Sequence, residues 1–76
     1  MKTFEQLVSE KFNIPAAEVR DEMSSKDIPD WDSMNYLLFI ADVEKEFNVS
    51  LSMDEVLSAS TLGSIREALR AKGVAV

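Results

Sequence analysis

Cysteine and histidine are both absent from this 76-residue sequence. Without cysteine there is no disulfide and no thiolate metal ligand. Without histidine the commonest general base and the commonest neutral metal ligand are missing too. A chain so equipped has little with which to do chemistry of its own. Glycine and proline are scarce, two of each, so few positions interrupt regular structure. No run of about 18 apolar residues occurs, so no membrane span is expected. The opening stretch MKTFEQLVSEKF carries acids and lacks an apolar centre, so it does not read as a secretory signal. A soluble, cytoplasmic protein is the expectation.

What the sequence has is acid. Fourteen Asp and Glu face eight Lys and Arg, for a net charge of −6. Such a surface repels phosphate backbones, so no nucleic-acid partner is expected. It attracts basic proteins and steers their approach. The length suits one domain, residues 1–76, and a monomer. A chain this small buries only ~60% of its unfolded surface, which leaves little room for a deep cleft.

The apolar spacing is helical almost throughout. Thr3 and Gln6 form a capping-box pair, and Phe4, Leu7, Val8 and Phe12 then share one face. Asn13 and Pro15 end that helix. PAAEVRDEM predicts a short helical turn with Pro15 at its first position. Met23 to Asp32 reads as a long connecting loop, anchored by Ile28 and Trp31. A second long helix runs from about Ser33 to Phe47. Tyr36, Phe39, Ile40, Val43 and Phe47 make its core face. Asn48 ends it, and Val49 and Leu51 return to the core. Ser52 and Glu55 open a short helix through Leu57. Ser60 or Thr61 caps the last helix, whose stripe is Leu62, Ile65, Ala68 and Leu69. Gly73 stops it, and the tail VAV is expected to fray. The fold class is therefore all-α: a four-helix bundle of three longer helices and one short one, with a long loop between the first and second.

The segment DIPDWDSMNYLLFI holds the candidate site. Ser33 lies at the head of a helix, between Asp32 and Met34. No histidine is present to take its proton, and Lys26 and Lys45 sit in polar company that keeps them charged. Asp27, Asp30 and Asp32 lack the glycine and the late glutamate of a calcium loop, so no metal site is expected. Ser33 reads first as a cap, since serine and aspartate both serve at that position. If Asp32 caps instead, Ser33 falls in the first turn with its hydroxyl free and outward. A phosphate on that hydroxyl would be well tolerated by the positive end of the helix. Met34, Leu37, Leu38 and Ala41 form a second apolar strip beside it. Either the strip widens the core face, or it is a docking surface edged by acids such as Asp42 and Glu44.

Taken in order, D-S-M at 32–34, the helix and turn NYLLFIADVEKEFNVSL at 35–51, and T-L-G at 61–63 resemble the acyl carrier protein family. Glu44 and Phe47 match that family's Glu-x-x-Phe, Val49 and Leu51 its alternating apolar pair, and Thr61 the start of its last helix. The likeness spans nearly the whole chain and extends to peptidyl and aminoacyl carriers. It implies the helical bundle of that family. It implies a covalent 4′-phosphopantetheine arm, transferred from coenzyme A to Ser33 by a phosphopantetheinyl transferase, with Asp32 belonging to the motif. The arm's thiol would hold acyl or aminoacyl cargo as a thioester, so the missing cysteine would be replaced by an imported sulfur. The protein would be a carrier, not an enzyme. Met34, Leu37, Leu38, Ala41, Asp42 and Glu44 would face loading and downstream enzymes. Asp30 and Trp31 stand where the family commonly has glycine and a small residue, and Leu38 where fatty-acid carriers often have an acid. These departures point to specialised pathways, such as polyketide or aminoacyl chemistry or the modification of surface sugars, rather than housekeeping fatty-acid synthesis. The alternative is a small acidic helical adaptor that binds a basic partner and carries nothing.

Overall fold

The computed structural model describes residues 1–76. Four α-helices follow one another in the order α1 (Phe4–Phe12), α2 (Ser33–Phe47), α3 (Met53–Ser58) and α4 (Leu62–Ala71). α1 packs along α2, and α3 packs against α4. The fold is all-helical, three longer helices and a short one, as the apolar spacing requires.

Each helix starts where its cap residue dictates. The Thr3 hydroxyl accepts from Gln6 N, and Thr3 N donates back to Gln6 Oε1 at 2.8 Å. Ser52 and Glu55 repeat the box at α3. Thr61, not Ser60, caps α4, its hydroxyl accepting from Ser64 N. Asn13 and Asn48 end α1 and α2 in the left-handed conformation, φ 59° and 54°, which asparagine tolerates better than most residues.

Phe4, Leu7, Val8 and Phe12 from α1 meet Phe39, Ile40 and Val43 from α2 and Leu62, Ile65 and Leu69 from α4. Ile28 of the crossover is fully buried among them. An aromatic ladder runs through this core. Phe4 meets Phe39 edge-on, Phe39 meets Phe12 at 5.2 Å, Trp31 stacks on Phe12 at 5.3 Å, and Tyr36 stacks on Trp31 at 5.5 Å.

Four expectations need correction. The turn after α1 is a single 3-10 turn, Ala16–Glu18. Pro15 precedes it with ψ 136° instead of opening it. Tyr36 and Phe47 are half-buried at the ends of the α2 core face. The tail does not fray: Val74 N donates to Leu69 O, Val76 O accepts from Arg70 Nε, and both valines pack on the core. The crossover, finally, is more than a loop. Ser24 pairs antiparallel with Thr61, Leu62 N donates to Met23 O, and Gly63 N donates to Asp21 O at 2.8 Å. Residues 21–24 are thereby pinned to the start of α4.

One buried residue escaped the apolar pattern altogether. Arg66 lies 9% exposed on the inner side of α4. Its Nη2 meets Glu5 Oε2 and its Nε meets Asp21 Oδ1, both at 2.9 Å, while its guanidinium lies 4.6 Å from the Phe4 ring centre. The fork ties α1, the crossover and α4 together.

Candidate functional site

Asp32 and Ser33 divide the labour at the head of α2. Asp32 is the cap: its Oδ1 accepts from Asn35 N at 2.8 Å, and its backbone is extended. Ser33 is the first helical residue and is exposed. The cap therefore leaves its hydroxyl free. Asn35 holds the approach to the helix from the other side, its Nδ2 donating to Asp30 O at 2.9 Å. Trp31, stacked between Phe12 and Tyr36, fixes the crossover immediately before the pair. The loop that delivers Ser33 is thus anchored by Ile28, Trp31 and Asn35.

The apolar strip next to Ser33 faces solvent. Met34 is 72% exposed, Leu37 54% and Leu38 47%, and Ala41 is exposed as well. It does not widen the core face. Asp42 is exposed at its edge and pairs with Lys11 at 3.2 Å. Glu44 does something else. It is half-buried, and its Oε2 accepts from Leu51 N at 2.7 Å, which holds the turn between α2 and α3. On α3, Met53 and Leu57 are exposed too, at 66% and 73%.

Between the crossover, α2 and α3 lies an open groove of about 410 Å³. Ser33 and Asp32 stand at its edge. Trp31, Tyr36, Val56 and Leu57 form its walls. The Tyr36 hydroxyl donates to Val56 O across the floor and so joins α2 to α3. Burial pushes the Tyr36 phenol above its usual range, still further from ionisation at neutral pH. Sequence reasoning placed Tyr36 in the core and missed this groove. Its walls come from three separate segments, and no local pattern brings those together.

A family model described as a phosphopantetheine attachment site matches residues 2–69. The chain belongs to the acyl carrier protein family. Among solved structures it is similar to a protein from Mycobacterium tuberculosis assigned as an acyl carrier protein. The TM-score is 0.79 at 15% identity, with 92% of this chain and 99% of that chain covered, a likeness of fold. No curated protein matches the sequence. Members of the family are carriers, not enzymes, and the group they bear is covalent 4′-phosphopantetheine. The head of α2 in this carrier fits such a group. It offers an exposed primary hydroxyl unused by the cap, on a helix terminus whose partial positive charge favours a phosphodiester. No helix is long and apolar enough to cross a membrane, and no group of acids is placed to hold a metal ion.

Proposed function

We propose that Ser33 is the attachment residue and that residues 1–76 form one carrier domain. The observation that carries this reading is the division of labour at α2: Asp32 takes the cap and leaves the Ser33 hydroxyl exposed and free. In the transfer, the Ser33 oxygen attacks the β-phosphorus of coenzyme A. A phosphodiester forms, the P–O–P bond breaks, adenosine 3′,5′-bisphosphate leaves, and the serine proton passes to a base on the transferase. The arm then supplies the thiol on which acyl or aminoacyl cargo rides as a thioester.

The exposed strip of Met34, Leu37, Leu38 and Ala41, with Asp42 at its rim, meets the transferase and the loading and downstream enzymes. Glu44, half-buried at the edge of that strip, also holds the α2–α3 turn. The more apolar face supports a specialised pathway over housekeeping fatty-acid synthesis. The carrier works as a cytoplasmic monomer.

Intact mass, measured before and after incubation with coenzyme A and a broad-specificity transferase, tests the reading. One phosphopantetheine unit should appear on the wild type and none on Ser33→Ala. The variant should keep its thermal midpoint, because an exposed first-turn serine contributes within ~0.5 kcal/mol. A loaded Ser33→Ala protein would refute the assignment. A folded wild type that takes no arm would favour the adaptor, bound through the Met34–Leu38 strip.

A further inference from the structure

Cargo tethered at Ser33 has two places to go: between the helices, or into the groove beside them. The interior is closed. Trp31 lies stacked between Phe12 and Tyr36, Phe12 continues to Phe39, and Phe39 to Phe4, each pair within 5.8 Å. The ladder fills the path from the head of α2 into the core. The Tyr36–Val56 hydrogen bond shuts the seam between α2 and α3 at the same point. None of the grooves on the molecule is lined by Phe12, Phe39, Ile40 or Val43. An alkyl chain entering here would have to pry open both aromatic stacks of Trp31 and strand the Val56 carbonyl without its donor.

The groove is the opposite case. Ser33 stands on its rim, so a tethered group reaches it without any rearrangement. Its volume, about 410 Å³, is at the lower end of small-molecule sites. The lining mixes apolar Trp31, Tyr36, Val56 and Leu57 with polar Ser25, Asp32 and Ser33. That mixture suits the amides of a pantetheine arm and a short polar cargo. A long chain would leave methylenes in water or on exposed Met53 and Leu57.

Resting on Ser33 as the attachment point, we propose that this carrier holds its arm and cargo outside the core, in the Trp31–Tyr36–Leu57 groove, and that its cargo is short and polar rather than a long alkyl chain. Trp31 is the sole tryptophan, so its emission reports on the groove directly. Ile40 and Val43 report on the core.

The test loads the protein from acetyl-, 3-hydroxybutyryl-, octanoyl- and dodecanoyl-coenzyme A with a broad-specificity transferase, and confirms each product by mass. The thermal midpoint, Trp31 emission and methyl NMR spectra are then compared. Every arm should shift Trp31 emission and the Leu57 methyls while leaving the Ile40 and Val43 methyls in place. The midpoint should move by less than about 2 °C across the series. A climb with chain length totalling about 4 °C or more, with shifts at Ile40 and Val43, would show burial in the core and overturn the proposal. So would a loaded protein whose Trp31 emission does not change. Failure to load appears in the mass spectrum instead; it removes the attachment at Ser33, and the cargo inference falls with it.

Discussion

Gly63 shows how closely single residues are fitted here. A Cβ at this position would stand 3.0 Å from both the Cβ and the carbonyl oxygen of Asp21. That oxygen cannot easily retreat, because it accepts the Gly63 N–H at 2.8 Å. Alanine gains up to ~1 kcal/mol over glycine in a helix, but overpacking costs ~1–3 kcal/mol. The clash involves backbone, so it wins. Gly63→Ala should lose about 1–2 kcal/mol in urea unfolding, with the crossover displaced from α4. A neutral or stabilising result would show that residues 21–24 yield readily. Glycine at this place is legible in the sequence as T-L-G, but its reason is not, since the opposing Asp21 lies far away along the chain.

At the scale of elements, burial separates two phenylalanines that share a face of α2. Phe39 is wholly buried and touches Phe4 and Phe12, whereas Phe47 is half-buried at the helix end. Phe39→Ala should therefore cost ~3–5 kcal/mol, a large share of the stability of so small a domain. Phe47→Ala should cost only about 1–2 kcal/mol, in proportion to the area it hides. Equal losses in chemical denaturation would contradict this ranking. The sequence told the helices well because their signals are local: Thr3, Asp32, Ser52 and Thr61 cap, Asn13 and Asn48 stop. It told the exposure of Met34 and Leu37 less well, since a second strip on a helix is core or surface according to what packs there. A short turn after α1 was legible, though not that Pro15 precedes it; the docked tail and the buried Arg66 were not. Each depends on contacts that the local apolar pattern does not encode.

Across the whole molecule, the Arg66 fork couples stability to pH. The hydrogen bond from Arg66, chiefly, holds the Glu5 carboxyl below the usual glutamate range. A carboxyl depressed in the folded state contributes its stability above its unfolded pKa of ~4.3 and loses it as pH falls through the lower folded value. Thermal midpoints from pH 7 down to 3 should thus fall more steeply for wild type than for Glu5→Gln. Using the difference between the two removes the general relief of a net charge of −6. Parallel curves would mean that the ionised Glu5 arm of the fork adds nothing to stability at neutral pH.

The same fork also has a place in time. Arg66 joins residues 61 and 45 positions away in sequence, whereas most of the helical hydrogen bonding is local. Contacts so distant close large loops, and the chain bears that entropy before the contact returns anything. The fork should accordingly form late, after α1 and α2 have met. Replacing Arg66 with methionine should quicken unfolding and leave the folding rate close to wild type, as stopped-flow chevrons would reveal. A slowed folding limb would instead place the fork in the nucleus. If it forms last, Arg66 governs how long the folded carrier lasts, not how quickly it is made.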